Sequence, residues 1–108
     1  MQGVRDAKTM GQNQLYEPCE SLLQKYQSEC FLDQAPRWFA YISQDPQKII
    51  ALCTEVKNTN NRLACYRGIA RITPIGATKE EMLSKFCQPI VDQIGKRACQ
   101  EELGIIEQ

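Results

Sequence analysis

Six cysteines at a regular spacing constrain the fold of this chain more than any other feature of its sequence. They form three couples, Cys19 with Cys30, Cys53 with Cys65, and Cys87 with Cys99, and the first members of successive couples are equally spaced along the chain. A high, even cysteine count in a small chain is typical of a disulfide framework formed in an oxidising compartment. A fixed period of about 34 residues indicates repeated units, each of a length that suits two helices with two turns.

The second and third units resemble each other beyond their cysteines. Segments 45–53 (DPQKIIALC) and 79–87 (KEEMLSKFC) place apolar residues at matching positions before the first cysteine, and 61–65 (NRLAC) resembles 95–99 (GKRAC). Both second cysteines are followed by apolar residues at four and seven positions, which lie on one face of a helix. The first unit is less regular and carries Pro18 next to its first cysteine. We expect it to be a divergent terminal repeat.

The cysteine spacing favours a chain reversal inside each couple. Along one continuous helix, eleven or twelve positions would separate two Cα atoms by about 16–18 Å, whereas a disulfide needs about 4.4–6.8 Å. Residues 57–61 (KNTNN) supply a turn in the second unit, and Gln88-Pro89 and Gly95 are the breaking residues of the third. We therefore predict the disulfides Cys19–Cys30, Cys53–Cys65 and Cys87–Cys99, one of the 15 connectivities that six cysteines allow.

Two other arrangements of the cysteines stay open at the level of the sequence. Positions eleven or twelve apart lie on nearly one helical face, so reduced cysteines would also fit as small core residues. Pairing between two long helices, as in mitochondrial twin-cysteine helical hairpins, suits the first couple. The Asn and Pro breaks inside the other two couples argue against it.

The expected architecture is all-α, with three stacked antiparallel helical hairpins that are each closed by one disulfide. Local signals mark helix starts at Asp45-Pro46 and at Thr78, which forms a capping box with Glu81. Helices are expected near 14–22, 24–34, 46–56, 61–72, 79–88 and 90–105. Residues 1–11 are expected to be disordered, and the repeat units to cover about 12–42, 43–76 and 77–108.

The charge balance and the hydropathy of the chain limit which partners we expect it to bind and in which compartment we expect it to reside. Thirteen basic and thirteen acidic residues leave no net charge, so no global field favours nucleic acid or an anionic membrane. No apolar run approaches the roughly 20 residues that span a bilayer, and the first fourteen residues lack a hydrophobic signal core. Together with the cysteine content, this predicts a secreted or periplasmic protein from which a signal peptide has been removed, with Met1 added for expression.

The residues that usually carry catalysis are sparse. The chain has no histidine, the commonest general base and metal ligand, and no CxxC motif of a redox site or zinc ribbon. The pairs Glu80-Glu81 and Glu101-Glu102 point in different directions on a helix, and we interpret them as solvated helix faces. No phosphate loop, GxSxG elbow or Ca²⁺ loop is present. We therefore expect no enzymatic activity, no cofactor and no metal site.

Three aromatic residues form the first candidate contact for a partner. Segment 35–46 contains the only tryptophan of the chain, followed closely by two further aromatics, and aromatic residues are enriched at binding hot spots. Trp38, Phe39 and Tyr41 are therefore candidate binding residues. The alternative, which we favour, is that this connecting segment covers a small core, with Trp38 filling the gap between neighbouring hairpins.

Two arginines form the second candidate. Arg67 and Arg71 are one helical turn apart and lie near Arg62, so they predict a basic stripe on the helix that follows the second hairpin turn. Such a stripe suits an acidic partner, although a solvated helix face is its commoner explanation.

The period, the helix-pair units and the small-residue run Gly68-Ile69-Ala70 resemble the helical-hairpin solenoids of the tetratricopeptide and Sel1-like class, particularly cysteine-rich bacterial members stapled within each repeat. The resemblance covers about residues 12–107. It implies a curved surface that binds another protein or a peptide. We therefore expect a non-catalytic module that binds a protein or peptide, on a surface preorganised by its disulfides. The alternative is a small helical carrier that encloses an apolar ligand, such as a lipid, between its helices.

Overall fold

The computed structural model describes residues 15–72 and 74–106, and within these ranges it consists of helices and turns without a β-strand. The predicted all-α class is therefore confirmed. The predicted disorder of residues 1–11 and the outer ends of the first and third predicted units lie outside the described residues. The five α-helices of this part are α1 (Gln24–Tyr41), α2 (Pro46–Thr54), α3 (Thr59–Ala70), α4 (Lys79–Met82) and α5 (Gln93–Ile106). A 3₁₀ turn, Cys19–Ser21, precedes α1, and a π-helical turn, Leu83–Cys87, continues α4.

Three disulfides close the cysteine couples. The Cα atoms are 5.4 Å apart in Cys19–Cys30, and 5.5 Å apart in both Cys53–Cys65 and Cys87–Cys99. These are the pairs predicted from the spacing, and they account for all the cysteines of the described ranges. In the chain-entropy model, each bond that closes a loop of about a dozen residues stabilises the fold by about 3 kcal/mol.

Local sequence signals determine where three of the helices begin. The Asp45 carboxylate accepts a hydrogen bond from the second residue of α2, whose first residue is Pro46. The Asn58 side chain caps α3 in the same way. At α4, Thr78 and Glu81 form the predicted capping box, in which each side chain accepts a hydrogen bond from the other residue's backbone N–H. Each such cap satisfies an N–H group that the helix itself leaves unpaired.

Helix α1 continues past the end predicted for it at residue 34 and includes Pro36. Proline has no N–H, so Pro36 leaves the Leu32 carbonyl without its usual helical donor. The backbone of α3 covers that carbonyl, because a Cβ at Gly68 would collide with the Leu32 oxygen. Such a close approach allows a Cα–H···O contact. The prediction that 35–46 connects two units is therefore wrong for 35–41, and only residues 42–45 separate α1 from α2.

The chain before α1 also departs from the prediction of a helix near 14–22, because residues 16–21 form turns, among them the 3₁₀ turn. After this turn, Leu22 and Leu23 are extended, with ψ angles of 160° and 144°. Pro18 explains the difference, since it cannot donate a helical hydrogen bond and it disfavours the helical conformation of Glu17. The first disulfide therefore joins a short turn to a long helix.

Gly95 does not break a helix as predicted but lies in the first turn of α5. The Asp92 carboxylate caps this helix and accepts hydrogen bonds from the Ile94 and Gly95 N–H groups at 3.0 and 3.2 Å. A Cβ at residue 95 would collide with the ring of Tyr66. The glycine therefore serves helix packing, because it provides the space in which this aromatic ring of α3 lies.

The core is centred on α3, which packs against α1 on one side and against α5 on another. Helix α2 and the π-helical turn lie against α3 as well. No helix within the described ranges is long and apolar enough to cross a membrane. The largest fully buried side chains besides the cysteines are Tyr66, Phe31, Ile49, Ile69, Ile90 and Leu103.

Candidate functional site

The Trp38 side chain is a core group and not a surface anchor in this structure. It is 2 % exposed, and its ring packs edge-to-face against Tyr16, with the ring centroids 5.6 Å apart. Its indole N–H donates a hydrogen bond to the Leu15 carbonyl at 3.2 Å. This burial agrees with the alternative in which the segment covers a small core, but the contacts of Trp38 with Leu15 and Tyr16 lie within the first predicted unit and not in a gap between neighbouring hairpins.

The other two aromatic candidates lie near the end of α1 and are more exposed than Trp38. Phe39 is half-buried and packs against Phe86 of the π-helical turn, with ring centroids 5.7 Å apart. Tyr41, the last residue of α1, is 74 % exposed. The three aromatics therefore do not form one cluster, and Phe39 is the one that borders a concave surface.

The predicted basic stripe divides into arginines with different roles. Arg62 donates hydrogen bonds to the Val56 and Lys57 carbonyls at 2.8 and 3.2 Å, so it supports the turn between α2 and α3. Arg71 binds Glu102 of α5. Arg67 is exposed and has no ion pair within residues 15–72 and 74–106.

The ion pair between Arg71 and Glu102 links α3 to α5. The Nε and Nη2 atoms of Arg71 lie 2.9 and 2.8 Å from Oε2 of Glu102. Glu102 is only 9 % exposed, while the Arg71 side chain remains 45 % exposed. The interpretation of Glu102 as part of a solvated face is therefore wrong. The carboxylate holds the guanidinium in place and leaves much of it at the surface.

Phe39 and Arg71, which are far apart in sequence, line one groove between α1 and the end of α3. Its lining also includes Pro36, Ile72 and Pro74, and its volume is about 230 Å³. We call this the Phe39–Arg71 groove. Its described walls are apolar except for the guanidinium, and none of its described lining residues is acidic.

A turn with an exposed isoleucine follows directly on the rim of the groove. The Ala77 N–H donates to the Pro74 carbonyl at 3.1 Å, and Gly76 has a φ of 84°, as in a type II turn. Ile75 at the tip of this turn is fully exposed. Large apolar side chains with this exposure suit contact with another molecule when they border a groove.

A second and larger groove lies between α2 and the segment that leads into α5, which we call the α2 groove. Its volume is about 500 Å³, and it is open to solvent. Its apolar wall includes Val91, which is 86 % exposed. At its edge, the Thr54 hydroxyl donates to the Ile50 carbonyl and lies 2.9 Å from the Tyr66 hydroxyl. The lining residues are Gln47, Ile50, Ala51, Thr54, Glu55, Pro89 and Val91.

The start of α4 holds a glutamate in a capping box and beside a lysine. The backbone N–H and the hydroxyl of Thr78 donate to Glu81, and Lys85 lies 3.7 Å from its other oxygen. These interactions, the Thr78 backbone bond foremost, lower the pKa of Glu81 below its ordinary value. No three Cys, Asp or Glu side chains of the described ranges lie together as a metal-binding group.

Several residues of the groove were not identified from the sequence. Pro36, Ile72 and Pro74 are apolar residues that the packing of α1 on α3 brings to one place. For Glu102 a usable signal exists, because Gly95 is seven positions before it and marks the same helix face as one of close packing. A carboxylate on such a face needs a partner.

Comparison of the whole chain with known proteins yields no matching family model, no similar curated protein and no similar solved structure.

Proposed function

We propose that this chain is a non-catalytic module that binds a protein or peptide, with the Phe39–Arg71 groove as its contact surface. The observation that carries the proposal is the convergence of Phe39 and Arg71 on one groove. Phenylalanine and arginine are both enriched in the buried core of protein interfaces, and arginine is also among the residues most enriched at binding hot spots. A groove of about 230 Å³ suits one or two side chains of a partner, and it is smaller than a usual pocket for a drug-sized ligand.

The rigidity of the groove supports this role. Phe39 is backed by Phe86, and Arg71 is held by the carboxylate of Glu102. The disulfide Cys53–Cys65 fixes α2 against α3, the helix that Arg71 directly follows. Because these side chains are ordered before a partner arrives, binding loses less conformational entropy.

We also propose that the chain forms three stacked, disulfide-closed repeats, of which the second and third are helical hairpins and the first is a divergent end repeat, related to the tetratricopeptide and Sel1-like class. Equivalent contacts at the period of the cysteine couples support this arrangement. Asn61 and Gly68 of α3 contact α1, while Gly95 and Glu102, each one full period later, contact α3. In such an array each repeat packs against its neighbours and the outer surface is free for a partner.

The proposed location is outside the reducing cytosol, in a secreted or periplasmic setting. Three disulfides in a chain of this size are typical of oxidising compartments. Binding without catalysis is consistent with the side chains of the Phe39–Arg71 groove, where Arg71 is the one ionisable group among the described lining residues.

The proposal is tested by selecting ligands from a random peptide library against the folded, oxidised protein. Recovered peptides are then mapped by amide chemical-shift changes on the ¹⁵N-labelled chain. We expect changes at Phe39, Arg71 and Ile72, and weaker binding by Phe39→Leu, which keeps an apolar side chain but removes the ring. Ala51→Glu in the α2 groove is the matched control and leaves affinity unchanged. Failure to recover any peptide, or changes confined to the α2 groove, would overturn the proposal.

The carrier of an apolar ligand is the second candidate function, and the α2 groove is the observation that favours it. Its volume of about 500 Å³ and its wall of Ile50, Ala51, Pro89 and Val91 suit an apolar chain. A fluorescent fatty acid provides the test. If this protein is a carrier, the probe's emission rises on binding, and Ala51→Glu abolishes the rise. An unchanged emission spectrum at saturating protein rejects this candidate.

A further inference from the structure

We infer that the partner segment is acidic, with an apolar side chain in the Phe39–Arg71 groove and a flanking carboxylate on Arg67. This inference rests on the proposed function and adds the chemistry of the ligand to it. It follows from three observations. The groove is lined by apolar side chains, the positive charge of Arg71 is already paired with Glu102, and the positive charge of Arg67 has no acidic partner among the described residues.

The groove selects an apolar side chain. Four of its five described lining residues are Pro36, Phe39, Ile72 and Pro74, and none carries a polar side-chain atom. Among the described lining residues, the guanidinium of Arg71 is the one side-chain donor that a buried ligand group could use. Placing an uncharged polar side chain against such walls is unfavourable, whereas an aliphatic or aromatic one gains about 25 cal/mol for each Å² removed from water.

Arg71 is not the main source of attraction for a ligand carboxylate. Two of its nitrogen atoms already bind the same oxygen of Glu102, at 2.8 and 2.9 Å. The net charge of this pair is zero, so its role is to form a rigid wall. A ligand acid at this point would have to compete with Glu102 for the same guanidinium.

Arg67 lies on α3, one helical turn before Arg71, and it differs from Arg71 in the state of its charge. It is exposed and has no ion pair among the described residues. Positions four apart on a helix lie about 5–6 Å from each other at Cβ, so Arg67 adds uncompensated positive charge beside the apolar groove. An extended peptide advances about 3.3 Å per residue. The geometry therefore places the carboxylate one or two residues away from the apolar anchor.

The test uses a peptide library with a fixed central leucine and random flanking positions, with its C-terminus amidated or fused so that no terminal carboxylate contributes. We expect selection to enrich Asp and Glu one or two positions from the leucine. The best peptide should bind about two- to five-fold more tightly than its Glu→Gln isostere, as expected for an exposed ion pair. Higher ionic strength should reduce this difference.

Arg67→Gln is the decisive variant, because an exposed residue without an ion pair can be replaced without loss of folding, which a thermal unfolding curve verifies. It should lower the affinity for the acidic peptide to that for the isostere and leave the isostere unaffected. Arg97→Gln, at an exposed arginine of α5, is the matched control and should change neither affinity.

The outcomes separate this inference from the proposed function. Enrichment of neutral or basic flanks, or equal binding of the Glu and Gln peptides to the groove, overturns the acidic ligand and leaves the peptide-binding groove intact. A library from which no binder is recovered overturns both. An equal loss of affinity in Arg67→Gln and Arg97→Gln assigns the effect to overall charge and rejects the specific role of Arg67.

Discussion

The first and second disulfide-closed segments have almost the same covalent geometry but different architectures. Cys19–Cys30 and Cys53–Cys65 have sequence separations of 11 and 12, and their Cα atoms are 5.4 and 5.5 Å apart. The second bond joins two helices across a capped turn. The first joins a short 3₁₀ turn to α1, the longest helix of the described part. A disulfide over this sequence separation therefore fixes a chain reversal. The residues around each cysteine determine whether that side of the reversal is a helix or a short turn.

The two segments also differ in how their chain reversal is supported. In the second segment Asn58 caps α3, and Arg62 donates to two carbonyls of the turn. In the first, neither the 3₁₀ turn nor α1 has a side-chain cap. Its early residues are held instead by tertiary hydrogen bonds, among them those from Gln34 and Trp38 to the Leu15 carbonyl at 2.9 and 3.2 Å. We therefore expect the second segment to be the more independent folding unit.

Removing each disulfide should produce the largest difference between the two segments. We expect the double variant Cys53→Ala with Cys65→Ala to lose about 3–5 kcal/mol of unfolding free energy, because both half-cystines are fully buried in the core. Cys19→Ala with Cys30→Ala should lose about 2 kcal/mol, since Cys30 is partly exposed and a short turn is released. Urea unfolding of both variants measures this, and equal losses would contradict the ranking.

The next largest effect on stability is expected where α3 of the second segment packs against α1 of the first. Gly68→Ala should reduce the unfolding free energy by about 1–3 kcal/mol, because the new methyl group meets the Leu32 carbonyl oxygen. Gly104→Ala is the matched control, since a Cβ there meets no atom within 4 Å, and alanine favours the helix. Stability of the control should stay the same or rise slightly. A Gly68→Ala chain as stable as the wild type would mean that the helices separate at no cost.

Substitutions at two helix starts should change the free energy of unfolding by smaller amounts and in opposite directions. Asn58→Ala should lower the unfolding free energy by about 1 kcal/mol through loss of the cap on α3. Leu23, which precedes α1 without capping it, is extended and 67 % exposed. Leu23→Ser should therefore raise stability by about 0.5 kcal/mol. Thermal unfolding compares the two variants, and destabilisation by Leu23→Ser would show that this leucine has a packing role.

The smallest expected effect is a pH dependence at the start of α4. Because the folded-state pKa of Glu81 is lowered, its contribution to stability is complete above the ordinary pKa of a glutamate. It declines as the pH falls below that value and is lost below the lowered pKa. The stability difference between wild type and Glu81→Gln should follow this course in unfolding curves from neutral to acidic pH. A difference that does not depend on pH would exclude the charged capping box as its source.

Features set by neighbouring residues could be predicted from the sequence. The three disulfides follow from spacing, and the helix starts at Asp45-Pro46 and Thr78 follow from residue types with a direct physical role at those positions. The extension of α1 past Pro36 could not be predicted in this way. It depends on the covering of the Leu32 carbonyl by Gly68, a residue of another helix.

The candidate groove also could not be predicted from neighbouring residues, because two helices form it. Phe39 and Arg71 were identified separately as residue types suited to binding, but their meeting at one groove depends on the packing of α1 against α3. Trp38 is in the same sequence segment as Phe39, yet the helical rotation of one residue turns its side chain into the core. Composition therefore indicated segment 35–46 as a candidate, while helix packing determines which of its aromatic residues lines the groove.

The partial exposure of Cys30 has a consequence for the rate at which a thiol reduces the Cys19–Cys30 disulfide. The other five half-cystines are fully buried, so we expect a small thiol to react first at Cys30, the half-cystine that is partly exposed. The Arg37 guanidinium, whose Nη2 lies 3.9 Å from the Cys30 sulfur, attracts an incoming thiolate. A brief pulse of a dithiol reductant followed by alkylation should therefore label Cys19 and Cys30 first, as peptide mass spectrometry can follow. We therefore expect an order of reduction in which the N-terminal turn is released while the helical core stays closed.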